Sequence, residues 1–375
     1  MRGYVLMGCT LSLFACGGGE KKTVKQPKTE TVVQAPPKVE TEEDRAKKRH
    51  EEALKIVPEG SSCLPAAIKE EGGPRLEVAA AGADAILCAV DTQQDRLLGP
   101  VGCWKIDLAT GGLAYKAPEL MPGRGSPVML DKGCAWGYCL PKEAKTSGDS
   151  VFIAKDIDGS KVAVLAGDDV HIFDAASKAH ESTFTIRGDK GVTNDPSGLH
   201  FVSGHVVVEG ADQGAYSAVW VFKADGTPMG PVVALGSKDN KPMSTYKGSV
   251  SILDDKRIGV GEKGLETMTT FQVDTGARAK IVRKMKTKPS CKAAELDAYW
   301  HGEDKVSDKC KASIEKLYGP LIGATGVAGR TSFLMVLRGA RLGELAALDQ
   351  KTLEEKKNFK LEWCGGEGEA KSDAE

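Results

Sequence analysis

Few residues in this chain stand in arrangements that could do chemistry. Gly259, Gly261 and Gly264 form a G-x-G-x-x-G run. A dinucleotide site needs a helix directly after such a run, so that the helix N-terminus meets the pyrophosphate. Here Leu265 to Asp274, rich in Thr with Phe and Val, reads as a strand, and the run predicts a glycine-rich hairpin. Asp156-Ile157-Asp158-Gly159 opens like a calcium loop, but Lys161 and Val162 stand where further oxygen donors are required. It predicts an Asp-Gly hairpin turn, and Gly167-Asp168-Asp169 is read the same way. His50-Glu51 and His180-Glu181 begin a zinc-protease motif, and each fails where the second histidine belongs, at Leu54 and Phe184. His200 and His205 flank a Ser-Gly turn and could approach one another. With no third ligand evident, they are expected to be ordinary strand histidines. No G-x-S-x-G elbow or P-loop occurs, and no nucleophile is placed beside a base. The sequence assigns no catalytic residue, no metal ligand and no cofactor.

The cysteines carry more information. In MRGYVLMGCTLSLFACGGG, Arg2 supplies a positive start and Tyr4 to Phe14 a short, mostly apolar run, too short to span a bilayer as a helix. Leu13-Phe14-Ala15-Cys16 follows, and this resembles the lipobox of bacterial lipoproteins. The resemblance implies a signal peptide over residues 1–15 and acylation of Cys16, with palmitate among its chains. Gly17 after the cysteine implies the outer membrane, on its periplasmic or surface face. Cys9 is a weaker candidate, because almost no apolar run precedes it. Outside the leader remain Cys63, Cys88, Cys103, Cys134, Cys139, Cys291, Cys310 and Cys364. An even count in an exported chain implies disulfides. The expected pairs are Cys134–Cys139 and Cys291–Cys310 as local staples, Cys88–Cys103 across neighbouring strands, and Cys63–Cys364 joining the ends of the body. Zinc is the poorer reading, since no C-x-x-C pair exists and histidine is scarce.

The elements that position these residues are strands. From Val151 to Arg187, short apolar alternations are separated by Asp-Gly-Ser-Lys, Gly-Asp-Asp and Asp-Ala-Ala-Ser-Lys turns. A strand with an aromatic or aliphatic residue before a polar turn recurs at Trp104, Phe173, Phe222, Phe271 and Leu348. Phe173 to Phe222 and Phe222 to Phe271 are each 49 residues. Strands alone at a period of about 40–50 residues are the signature of propeller blades. Segment DIDGSKVAVLAGDDVHIFDAASKAHESTFTI resembles a repeat of YVTN or WD-repeat-like propellers. It implies an all-β fold, a β-propeller of five to seven blades, with a pair of β-sandwiches as the competing architecture.

Around that body, residues 16–58 are expected to be a tether followed by a short helix, Glu42 to Val57. The Gly17–Thr41 part is rich in Lys, Thr, Gln, Pro and Glu and, as a coil, spans roughly 25–30 Å. The propeller-like domain occupies 59–364 and an acidic tail 365–375. Ser290 to Tyr318 is helical in pattern with a cysteine near each half, a small disulfide-stapled helical insertion. Trp104 and Trp220 are expected in the core and Trp363 where the body closes. Trp136, in the small cysteine-closed loop of Gly133 to Tyr138 and Cys139, and the Tyr299-Trp300-His301 trio, in the helical insertion, lie in two excursions from the strand pattern, where they either recognise a partner or pin each excursion to the body.

A net charge of −1 supplies no field for nucleic acid. The expected function is a non-enzymatic binding or scaffold protein of the bacterial envelope, held to the membrane by its lipid, with an envelope protein as partner and no transmembrane helix in the mature chain. One such class is the propeller lipoproteins that assist outer-membrane protein assembly. Their recurrent Trp after Thr-Gly-Lys is missing at Thr110-Gly111-Gly112 and Thr275-Gly276-Ala277. The alternative is a periplasmic hydrolase or lyase using the propeller channel, which requires His171, His200, His205 and Asp168 to converge.

Overall fold

A computed structural model describes residues 42–81, 84–93, 97–144, 146, 148, 150–187, 196–212, 216–229, 233–234, 250–262, 267–283, 288–300, 305–318, 324–330, 333–338 and 343–365. The compact unit begins at Glu42. It opens with α1 (Glu42–Leu54), whose Ala53 is buried and which is followed by Val57, packed on Gly102 of the first blade.

The body is a five-bladed β-propeller of antiparallel four-stranded blades. The first holds β1 (Arg75–Ala81), β2 (Asp84–Asp91), β3 (Gly99–Ile106) and β4 (Leu113–Lys116), in that spatial order. Next come β5 (Ser126–Met129), the two-strand hairpin β6 (Cys134–Ala135) and β7 (Tyr138–Cys139), and the second blade, β8 (Ser150–Lys155), β9 (Lys161–Ala166), β10 (Asp169–Asp174) and β11 (His180–Thr185). Strand β5 pairs with β8 and gives the second blade a fifth strand. The third blade is β12 (Pro196–Val202), β13 (His205–Asp212), β14 (Tyr216–Lys223) and β15 (Val233–Ala234). The fourth is β16 (Val250–Ile252), β17 (Arg257–Glu262), β18 (Thr267–Gln272) and β19 (Arg278–Val282). Helices α2 (Ala293–Trp300) and α3 (Asp308–Tyr318) follow, then the fifth blade, β20 (Ala324–Arg330), β21 (Phe333–Arg338), β22 (Glu344–Asp349) and β23 (Glu355–Lys360). The first strands of the fourth and fifth blades meet in a parallel bridge, Ile252 opposite Ala328.

Period-2 alternation has a particular meaning in this architecture. Middle strands are covered on both sides, so Val162 to Ala166 are all buried, and alternate residues enter different cores. Ala163, Leu165 and Ile172 pack with Leu199, Phe201 and Trp220 between the second and third blades. Val162, Val164 and Phe173 pack with Ala135, Tyr138 and Val151 on the opposite face. Outer strand β11, by contrast, is exposed or half-exposed along its whole length. Between the fifth and first blades, Met335, Leu337 and Leu345 join Leu76, Leu87 and Trp104.

Four disulfides staple this body: Cys63–Cys364, Cys88–Cys103, Cys134–Cys139 and Cys291–Cys310. Cys88 lies directly opposite Cys103 on β2 and β3. Cys63–Cys364 closes the ring beside the Leu64–Trp363 bridge, where Leu64 N–H donates to Glu362 and Cys364 N–H to Leu64. Trp104 is fully buried and donates its indole N–H to Ser61 O at 2.8 Å, two residues from that closure. Trp220 is buried between blades, and half-buried Trp363 lies under the Lys69 ammonium, 4.3 Å from its ring. Four disulfides point to an oxidising, extracytoplasmic compartment. No helix among the described residues is long and apolar enough to cross a membrane.

Candidate axial site and the recognition candidates

Met121 to Gly125 meets four of the five blades. Gly123 N–H donates to Lys155 O at the end of β8, and Phe201 N–H of β12 donates to Gly123 O. Gly125 N–H donates to Leu199 O, and Arg124 bridges to His200. A Cβ on Gly123 would meet Ile252 of the fourth blade at 3.2 Å. Arg124 itself reaches Glu77 on β1, with Nε 2.7 Å from Oε2. A five-residue stretch thus meets β1, β8, β12 and β16, one strand in each of the first four blades. Its composition explains the path. Gly123 has φ +73°, and at Gly125 a Cβ would sit 2.2 Å from Leu199 O, so neither position accepts a side chain readily.

The charges this segment brings together pair among themselves. His200 on β12 bonds through Nε2 to the Glu209 carboxylate on β13, and both groups are largely buried. Burial raises the Glu209 carboxyl, but the His200 bond and the Arg124 charge outweigh it, leaving its pKa below the usual 4.5. Burial also works against the Arg124 cation, and Glu77 more than restores it. His200 Nδ1 is buried and finds no partner among the described residues. Glu77, Arg124 and Glu209 are the residues that sequence reasoning missed. Their one local signal is Pro122-Gly123-Arg124-Gly125-Ser126-Pro127, an arginine held between glycines and prolines.

The four residues required by a channel enzyme do not gather here. His171 lies on β10, buried, with Nδ1 2.9 Å from Thr183 Oγ1, and burial together with His180 pushes its pKa down. His205 Nδ1 stays with its own turn at Ser203 O. Asp168, in the β9–β10 turn, pairs with Arg187 at 2.5 Å beside a cleft of about 670 Å³ that Phe152, Asp169 and Pro196 also line. Only His200 reaches the axial cluster. Among the described residues no group of three His, Cys, Asp or Glu side chains could hold a metal.

The remaining motifs resolve as turns and strands. Gly259 and Gly261 lie on β17, with strand β18 after them where a nucleotide loop needs a helix; Gly264 lies outside the described residues. The Asp156 carboxylate accepts the backbone N–H groups of Ile157 and Gly204, at 2.7 Å each, and so ties a turn of the second blade to one of the third. Burial pushes its pKa up, against those bonds.

The aromatic candidates divide. Trp136 donates its indole N–H to Leu98 O of the first blade, while Tyr138, two residues on, donates to Ala175 O of the second. The Cys134–Cys139 hairpin is therefore wedged into the seam between these blades, and its indole is engaged there. Tyr299 is half-buried in a small core of its own with Ala298, Val306, Cys310 and Ile314. The Trp300 side chain, His301 and Cys16 lie outside what the structure describes.

No family model and no curated protein matches the chain. Among solved structures it is similar to BamB from Moraxella catarrhalis, with 13% identity, 76% of this chain and 73% of that one covered, and a TM-score of 0.28. U3-55K has 12% identity over 78% of this chain and 66% of its own, with a TM-score of 0.31. KlHsv2 with loop 6CD replaced by a Gly-Ser linker has 12% identity over 78% and 83%, also with a TM-score of 0.31. Likenesses this distant carry no argument about function, and the fold rests on the strand ladders themselves.

Proposed function

We propose that this chain is a non-enzymatic scaffold of the bacterial envelope, acylated at Cys16 and carried on the Gly17–Thr41 tether at the outer membrane. In this reading the propeller is a rigid frame. The α2–α3 excursion, with Tyr299, Trp300 and His301, is its recognition element for an envelope protein.

The observation that carries the proposal is the segment that joins four blades. Met121 to Gly125 ties strands of the first four blades together, and the four ionisable side chains gathered there, Glu77, Arg124, His200 and Glu209, pair with one another and leave no catalytic constellation among them. The excursion supports it further. It has its own disulfide and its own core, and Ser290 N–H donates to Ser313 Oγ across its base, so it is built as a module set on the ring.

The test is recovery of crosslinked partners from envelope membranes, comparing the intact chain with a variant in which 290–318 is replaced by a short Gly-Ser link. Loss of a specific envelope protein on deletion supports the scaffold reading. An unchanged partner profile with a folded body removes the excursion from recognition.

A further inference from the structure

The four disulfides differ in their surroundings, and Cys134–Cys139 stands apart. Among the eight bonded cysteines only Cys139 is exposed, whereas Cys88, Cys103 and Cys310 are buried and the others half-buried. Thiol–disulfide exchange begins when a thiolate reaches one sulfur of the bond, so access decides which bond is attacked first. Cys134–Cys139 also closes the shortest loop, with a sequence separation of 5 against 15, 19 and 301. Opening it restores the least chain entropy to the unfolded state. Neither the Cys63–Cys364 closure nor the cores of the fifth–first and second–third blade seams include its residues. It is the bond that can open while the ring stays closed.

The hairpin closed by this bond holds an unfavourable conformation. Two tight turns follow one another, Asp131 to Cys134 and Ala135 to Tyr138. Each places a residue with a side chain in the left-handed region, Lys132 at φ +50° and Trp136 at φ +54°. Bulky residues are rare there, because the Cβ crowds the backbone. Strands β6 and β7 have two residues each, and so short a hairpin is not stable alone. Apart from the disulfide, the seam holds it: Trp136 to Leu98 O, Tyr138 to Ala175 O, and Lys178 Nζ donating to Trp136 O, at 3.1 Å each. With the S–S bond open, Trp136 is free to relax to negative φ, which takes its indole off Leu98 O. The state of the disulfide is thereby tied to the seam between the first and second blades.

We propose that Cys134–Cys139 is a thiol-exchange site that reacts with a dithiol, and that its reduction releases Trp136 from the seam. A thiolate of the dithiol attacks the Cys139 sulfur, the Cys134–Cys139 bond breaks, and Cys134 leaves as a thiolate that takes up a proton. The second thiol then attacks the dithiol's own sulfur in the mixed disulfide and expels Cys139, which is protonated in turn. Two electrons and two protons pass to the protein, and the dithiol ends as a disulfide. A monothiol stalls at the first step, because Cys134 lies directly opposite Cys139 and expels it again. This inference goes beyond the scaffold reading. It uses neither Cys16 nor the α2–α3 excursion, so either can fail without the other.

The test uses the mature chain carrying Cys16→Ser, in which the only cysteines are those of the four bonds. It is titrated with dithiothreitol at neutral pH without denaturant, alkylated with iodoacetamide and mapped by peptide mass. Cys134 and Cys139 are expected to be alkylated together at a dithiol concentration about tenfold or more below that needed for any other pair. Circular dichroism should stay unchanged. Tryptophan emission should shift to the red over the same range, and the shift should be missing in Trp136→Phe. The C134S/C139S variant should show the shifted emission from the start and no response to dithiothreitol in that range. Opening of another bond first, or opening of Cys134–Cys139 with no change in emission or in hydrogen exchange at Cys134 and Leu140, overturns the proposal. Equal reduction by glutathione at the same thiol concentration overturns the assignment to a dithiol.

Discussion

At the scale of single residues, the axial quartet shows how a burial penalty and its compensation set a pH response. Glu209 is held below its ordinary pKa of 4.5, chiefly by His200 and Arg124 acting against burial. Between the folded and unfolded values the unfolded chain binds more protons, so stability rises with pH there. The contribution is therefore complete above about pH 4.5 and is withdrawn as pH falls through the lowered folded value. Asp156 works in the opposite sense, because burial raises its carboxyl, and its contribution declines as pH rises through the corresponding window. Glu209→Gln keeps the volume and removes the charge that faces His200, Arg124 and, beyond it, Glu77. It is expected to cost about 1–3 kcal/mol at pH 7. The difference from the parent chain should shrink below pH 4. Urea midpoints at pH 7 and pH 3.5 test this, and a gap that stays constant across the two refutes the assignment to the Glu209 charge.

At the scale of elements, Met121 to Gly125 works as a strap because its glycines let backbone lie on backbone. Gly125→Ala would set a Cβ 2.2 Å from the Leu199 carbonyl, against main chain that cannot swing aside. It is expected to destabilise by about 2–3 kcal/mol. The loosening should show in hydrogen exchange at Gly123, Gly125 and Phe201 before it shows in the outer strands, and uniform exchange across all blades would contradict the strap. This element also marks where sequence reading stops. The strands were legible because blade chemistry repeats: Trp104, Phe173, Phe222, Phe271 and Leu348 each precede a polar turn at related positions. The stapled excursion was legible because its cysteines and helical pattern are local. The cluster was not, because Glu77 of the first blade and Arg124 of the linking segment meet the His200–Glu209 hairpin pair of the third blade only through the packing of blades, across a separation of 132 residues from Glu77 to Glu209. No local pattern records which residues of separate blades will meet. Trp136 illustrates the same limit, since an aromatic residue in a cysteine-closed loop reads alike whether it faces a partner or, as here, the Leu98 carbonyl.

At the scale of the whole molecule, a ring of blades is no stronger than the seam that joins its last blade to its first. Here that seam has three parts: the interblade core of Met335, Leu337 and Leu345 on Leu76 and Leu87, the backbone bonds between Leu64 and the Glu362–Cys364 strand, and the Cys63–Cys364 bond. This disulfide spans 301 residues and Cys134–Cys139 only 5. The chain entropy removed from the unfolded state grows with the logarithm of the loop, so the ring-closing bond should contribute the most, about 5–6 kcal/mol. The paired substitution C63S/C364S is therefore expected to lower the thermal midpoint by more than C134S/C139S does. It should also convert unfolding from a single transition to one in which the fifth blade and the 59–64 segment open first. Scanning calorimetry of both variants, with exchange measured at Leu64 and Leu345, decides the matter. If C134S/C139S proves the more damaging, the first–second blade seam held by Trp136 and Tyr138 is the weak point of the ring, and closure at Cys63–Cys364 is secondary.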